Sequence, residues 1–143
     1  MNVRPGDLVA ERFLIERIAG EGGMGAVWKA RDTQRGELVA LKVMLGAGDV
    51  TRFAREIDLL ASIEHPAIVR YLTHGSADGA PWVAMEWLDG EELTDRLERG
   101  PIPLRESLML VRRLADALSV VHARGVVHRD VNPSNVLLPG GRL

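Results

Sequence analysis

Apolar and polar residues alternate along the first third of the chain with the period of a β-strand. In "ELVALKVM", Val39, Leu41 and Val43 fall on one face and Ala40, Lys42 and Met44 on the other. "GAVWKARD" sets Val27 and Lys29 against Trp28 and Ala30, and "RFLIERIAG" is rich in β-formers up to Gly20. The joins, Gly20 to Gly25 and "DTQRGE", are turn-like, so Phe13 to Met44 reads as an antiparallel three-stranded meander. A helix is predicted next: Asp49 or Thr51 can cap it, and Phe53, Ile57 and Leu60 form an apolar stripe ending before His65 and Pro66. "AIVRYLTHG" and "APWVAMEWL", joined through "SADG", read as a further strand pair. The expected outcome is a five-stranded sheet carrying one helix.

From Asp89 the period changes to that of a helix. "GEELTDRLERG" supports a helical turn or two, and "PLRESLMLVRRLADALSVVHARG" a long helix with Pro103 at its start and Gly125 at its end. Leu104, Leu108, Val111, Ala115 and Leu118 make one apolar stripe; Leu110, Leu114, Ala117 and Val121 make a second beside it. A face that wide needs partners on more than one side. After the helix comes one short hairpin, with Val126-Val127 and Val136 to Leu138 as strands around "HRDVNPSN". The β-rich half is expected to be complete, and the helical half begun, with a helix surface that another chain could cover.

Composition narrows the class without choosing a function. The 143 residues are 46% hydrophobic and 27% charged, as in a soluble globular protein, and the net charge of −2 draws the chain to neither nucleic acid nor an anionic membrane. The three tryptophans are not interleaved with Lys/Arg clusters, so no base-stacking platform is expected. The absence of cysteine excludes disulfides, thiolate catalysis and cysteine-ligated zinc. Charges at Arg4, Asp7, Glu11 and Arg12 leave no apolar core for a signal peptide, and no uncharged run approaches the ~20 residues of a membrane span. A cytoplasmic protein is the expectation.

Three stretches carry candidate chemistry. In "GEGGMGAV" the glycines let a loop bring backbone N–H groups close to an anion; the plain alternative is a glycine-rich hairpin turn. A strand rather than a helix comes next, which argues against a dinucleotide fold. Lys42 interrupts an apolar strand, either as an edge residue reaching solvent or as a lysine aimed under the glycine loop. Glu56, beside the Phe53/Ile57/Leu60 stripe, offers it a partner, since a carboxylate next to a buried face is costly unless paired; a solvated helix charge is the alternative there. In "HRDVNPSN" Asp130 could accept a hydroxyl proton and Asn135 could offer an amide oxygen to a hard cation. Set against that are a structural Arg129–Asp130 ion pair and a packed core histidine at His128, the reading favoured for that residue. "NPS" carries no glycosylation, because proline fills its middle position.

Glycine loop, strand lysine, helix glutamate and "HRDxxxxN" occur in an order that chance does not readily assemble. The chain resembles a protein kinase of the bacterial Ser/Thr type over nearly its whole length. "GEGGMGAVWKARD", "VALKVM", "FAREIDLLASIEHPAIV", "WVAMEWLDGEELTDRL" and "VVHRDVNPSNVLL" match the family's successive elements in order. The resemblance implies an α+β kinase-like fold over residues 9–143, with an N-lobe and hinge at 9–88 and the start of the C-lobe at 89–143. It implies that Ile18 and the loop Gly20, Glu21, Gly22, Gly23, Met24 and Gly25 bind ATP, the loop folding over the phosphates. Val27 and Ala40 would lie above adenine and Leu137 below it. Lys42, oriented by Glu56, would hold the α- and β-phosphates. Met85 would be the gatekeeper, with the backbone of Glu86 and Leu88 hydrogen-bonding adenine. Asp130 would orient and deprotonate the substrate hydroxyl, and Asn135 would bind Mg2+. Protein Ser/Thr side chains are the implied substrates.

Two departures qualify the resemblance. Asn132 stands where the family's Ser/Thr members carry a lysine near the transferred phosphate. An amide can hydrogen-bond phosphate but adds no charge, and one lost electrostatic contact costs on the order of 10²-fold in rate. The family's "DFG", whose aspartate is the principal magnesium ligand, does not follow the "HRDxxxxN" stretch in these 143 residues. The expectation is therefore an N-terminal kinase piece, inactive alone; a nucleotide-binding pseudokinase and a nucleotide-free interaction module are the alternatives.

Overall fold

The computed structural model describes residues 3–22, 25–44, 57, 61–128 and 130–140. They fall into two compact units, Met1–Glu64 with Val69–Trp87, and His65–Ile68 with Leu88–Leu143.

The first unit is an antiparallel sheet of β1 (Leu8–Val9), β2 (Phe13–Gly22), β3 (Gly25–Asp32), β4 (Leu38–Met44), β5 (Tyr71–Ala77) and β6 (Ala80–Glu86). Its order is β1-β2-β3-β4-β6-β5, six strands where five were expected. The addition is β1, which pairs Leu8 with Leu14 and Val9 with Phe13 across a turn where Ala10 and Glu11 both have positive φ. Two residues are too few to show a period, which is why the alternation did not reveal it. β5 begins at Tyr71, four residues later than the run from Ala67 suggested. It turns into β6 through Asp78 and Gly79, both at positive φ, as a two-residue turn matched to the strand twist requires. Of the helix expected between its cap at Asp49 or Thr51 and His65, Ile57 and Ala61 are the described helical residues, and Ile57 is buried.

Strand alternation fills the core. Val39, Leu41 and Val43 of β4 are buried, with Phe13, Ile15, Ala30, Trp82 and Ala84 around them. Trp82 meets Phe13 edge-on at 5.0 Å, and Gly75 lies opposite Trp82, where a β-carbon would come within 2.6 Å of the indole. Asp32, 1% exposed, is the buried charge among the described residues. It accepts from Arg12 Nε at 2.9 Å and Nη2 at 2.6 Å, and from the backbone N–H of Gln34 at 3.0 Å. The Arg12 hydrogen bonds hold the Asp32 carboxyl below the ordinary carboxylate range, outweighing the opposing effect of burial.

The second unit carries β7 (Gly90–Glu92), α1 (Leu93–Glu98), α2 (Leu104–Ala123), a 3-10 turn (Pro133–Asn135) and β8 (Leu137–Pro139). α2 starts after Pro103 and closes with Val126 N–H donating to Val121 O at 3.2 Å and Gly125 at φ 74°. Those are the marks of a glycine-terminated helix. Of its two stripes, Ala117 and Val121 are buried with Leu110 and Leu114 half-buried, whereas Leu104, Leu108 and Val111 are exposed. The expected hairpin is not formed. β8 pairs with β7, Leu137 opposite Glu92 and Pro139 opposite Gly90, and Val126-Val127 is not a strand. Gly90 permits the pairing, since a β-carbon there would lie 2.5 Å from Leu138 O.

Candidate functional site

β4 lies inside the sheet, between β3 and β6, so Lys42 is not an edge lysine. The ladder aligns Val27, Lys42 and Val83 on one rung and Lys29, Ala40 and Met85 on the next but one. Directly opposed residues share a face. Val27, Ala40, Lys42 and Met85 are thereby gathered on the side of the sheet away from Val39, Leu41 and Val43. All four are half-buried. Ile18 pairs with Trp28, which pairs with Leu41. It stands on the rung of Trp28 and Leu41, between the two register shifts of β2, and is 43% exposed. Glu56, expected to pair with Lys42, lies outside the described residues.

The glycine stretch closes the β2–β3 hairpin. Gly20 is opposite Val27, Glu21 opposite Ala26 and Gly22 opposite Gly25, while Gly23 and Met24 fall outside the described residues. Register shifts between Ile15 and Arg17 and between Ile18 and Gly20 interrupt the ladder; such bulges bend and twist a strand. The glycines differ in what fixes them. A β-carbon on Gly20 would meet nothing within 4 Å. One on Gly25, at φ 146°, would lie 2.3 Å from Val43 O.

At the end of β6, Glu86 is tied to the residue before β5. Its N–H donates to Arg70 O at 2.9 Å, and its Oε1 accepts from Arg70 N–H at 2.7 Å. Beyond it the Trp87 ring faces the Lys29 ammonium at 5.1 Å and the Arg17 guanidinium at 5.4 Å, within the range of a cation–π contact. Lys29 shares the Lys42 face but is also 3.9 Å from Glu16 Oε2. This cluster was missed in the sequence, because its members are far apart in the chain and show no periodic pattern. Leu88 belongs to the second unit and is half-buried.

In the second unit the "HRDVNPSN" stretch forms a hydrogen-bonded knot. Asn132 Nδ2 donates to Asp130 Oδ1 at 2.8 Å, and Asn135 Nδ2 to Asp130 Oδ2 at 3.0 Å and to Asp130 O at 2.8 Å. The other end of Asn132 accepts from Ser134 N–H at 3.0 Å and Ser134 Oγ–H at 2.6 Å, capping the 3-10 turn. Pro133 opens that turn with the φ it already prefers. His128 is exposed, and its Nδ1 accepts from Asp130 N–H at 3.3 Å; it is not the packed core histidine expected. Arg129 lies outside the described residues. Leu137 is 40% exposed on β8 while Leu138 is buried.

No group of three or more His, Cys, Asp or Glu side chains suited to a metal occurs among the described residues. The donor chemistry at the knot nevertheless fits a hard cation in kind. Asn135 directs its Nδ2 to Asp130, so its Oδ1, the cation-binding end of the amide, has no hydrogen-bond partner among the described residues.

Residues 13–142 match the family "Protein kinase domain". The chain is similar to serine/threonine-protein kinase pkn2 of Myxococcus xanthus, 39% identical over 140 residues, which covers 94% of this chain and 17% of that protein. It is 41% identical over 145 residues to the DNA damage-responsive serine/threonine-protein kinase RqkA of Deinococcus radiodurans, covering 96% of this chain and 22% of that one. Among solved structures, the PknI kinase domain of Mycobacterium tuberculosis superimposes with a TM-score of 0.85 at 35% identity, over 99% of this chain and 59% of that one. The chain thus spans about a fifth of the length of these two curated relatives and less than two thirds of the solved kinase domain. No described helix is long and apolar enough to cross a membrane.

Proposed function

The chain belongs to the protein kinase family, with bacterial Ser/Thr kinases among its relatives, and from that premise we propose that it binds Mg-ATP and serves phosphoryl transfer to Ser/Thr hydroxyls of proteins. The observation that carries the reading is the rung order that gathers Val27, Ala40, Lys42 and Met85 on one face of the sheet. An ammonium held on an internal strand costs burial without return unless an anion meets it. In this reading Lys42, aimed by Glu56, takes the α- and β-phosphates. The backbone of the Gly20–Gly25 loop covers them, and Val27 and Ala40 lie against the base. Asp130 receives the proton of the acceptor hydroxyl as its oxygen bonds to the γ-phosphorus and the bond to ADP breaks. Asn135 contributes its amide oxygen to magnesium. The Mg-ATP supplies the phosphoryl group and the cation that offsets its charge.

The test is thermal unfolding of the chain with and without Mg-ATP. Ligand at 100 times its Kd stabilises by about 2.7 kcal/mol. The parent and Asp130→Asn are expected to gain stability with Mg-ATP, and Lys42→Met to gain none. Equal gains in parent and Lys42→Met would sink the assignment. Asn132, where the family's Ser/Thr members carry lysine, favours a second reading of nucleotide binding without transfer. A parent that binds Mg-ATP but labels no protein acceptor would select it.

A further inference from the structure

Asn132 stands where the family's Ser/Thr members carry a lysine near the transferred phosphate, and here both ends of its amide are engaged within the chain. Nδ2 is given to Asp130, at 2.8 Å to Oδ1 and 3.3 Å to the backbone oxygen, and Oδ1 is taken by Ser134 N–H and Oγ–H. Asn135 holds Oδ2 of the same carboxylate. Each Asp130 oxygen therefore has its own amide donor, one from the residue that caps the 3-10 turn and one from the turn's last residue. A carboxylate gripped at both oxygens is fixed in rotation about its χ2, and Ser134 in turn fixes the residue that grips it. Without Asn132 one oxygen would lose its donor and the carboxylate would be held from one side only.

From this geometry we infer that Asn132 is a positioning residue. It orients the Asp130 carboxylate and does not contact the nucleotide, so at this position the chain uses orientation in place of the family's charge. The inference rests on the kinase reading for what Asp130 does, though not for how Asn132 holds it. An Asp130 displaced by about 1 Å forfeits up to about 10²-fold in rate, because proton acceptance depends on alignment with the attacking hydroxyl.

Asn132→Asp separates positioning from capping. It retains the oxygen that accepts from Ser134 but puts an acceptor where Asp130 needs a donor. In Mg-ATP-dependent labelling of a Ser/Thr-containing protein acceptor, both Asn132→Asp and Asn132→Ala are expected to lose roughly 10- to 100-fold in kcat with KM for ATP unchanged. Asn132→Lys is expected to stay below the parent. The inference is overturned if Asn132→Asp matches the parent, if Asn132→Lys exceeds it, or if the loss falls on KM for ATP. A second arm needs no activity. In nitrogen-15 spectra of the chain, the Asn132 side-chain amide, identified by its disappearance in Asn132→Asp, should shift in both Asp130→Ala and Ser134→Ala. The Asn135 amide should shift in Asp130→Ala. An Asn132 amide indifferent to Asp130→Ala overturns the inference even if the parent labels nothing, an outcome that would separately defeat the transfer reading.

Discussion

β4 in the first unit and α2 in the second were each recognised by apolar periodicity, yet their apolar residues meet different surroundings. Every second residue of β4 is enclosed: Val39 and Leu41 are fully buried and Val43 nearly so, within a cluster drawn from β2, β3 and β6. In α2 one stripe is covered at Ala117 and Val121, while Leu104 is 76% exposed and Leu108 62%. Periodicity states which face an element offers; burial depends on what is packed against that face. In the sheet, adjacent strands supply the neighbours. In the second unit much of the described order is polar and backbone-borne: the Val126–Val121 closure, the β7–β8 ladder and the Asp130 knot. The two units are therefore expected to answer differently to the same kind of substitution.

The largest effect is expected at Leu41. Leu41→Ala should lower stability by about 2–5 kcal/mol in urea titration, as loss of buried methylenes leaves a cavity. A change below about 1 kcal/mol, on the order of a surface substitution, would mean that the sheet core does not carry the unit. Next comes the Arg12–Asp32 pair. Arg12→Met strands a carboxylate that retains only backbone donors, at a cost of about 2 kcal/mol, less than for a fully enclosed pair because Arg12 is partly exposed. The same pair predicts a pH dependence. Asp32 has a lowered folded-state pKa, so its contribution is present above the unfolded value of about 3.9 and disappears as pH falls through the folded one. Arg12→Met should flatten that acid limb in guanidinium melts between pH 5 and pH 2.5 (both roughly chosen to bracket the carboxylate range). An unchanged limb would remove Arg12 as the cause. In α2, Leu108→Ala should change stability by no more than about 0.5 kcal/mol; a loss comparable to Leu41→Ala would erase the contrast. Smallest of all is Glu91→Gln, which breaks a solvent-exposed pair with Arg99 and should leave the midpoint within experimental error.

How much of this was legible in the chain depends on the range of each signal. β3 and β4 were legible because alternation is written over seven or eight consecutive residues. α2 was legible because Pro103 and Gly125 bracket it. β1 was too short to show a period. The β7–β8 pairing joins residues nearly fifty positions apart, and no local pattern announces such a partner. At the candidate site, the residue types were legible and their mutual geometry was not. Val27, Ala40, Lys42 and Met85 could be named one by one, but only the ladder shows them on one face. Asn132 could be read as a lost charge; its grip on Asp130 depends on a turn whose hydrogen bonds leave no period in the sequence.

The hairpin glycines bear on how this chain's history can be traced. Gly25 is demanded by Val43 O and by its own backbone angle, so it would persist in a descendant that had stopped using nucleotide altogether. Gly20 meets no such demand from the protein around it. Among relatives, then, retention of Gly25 testifies to inherited architecture, and it is drift at Gly20 that would register the loss of a ligand.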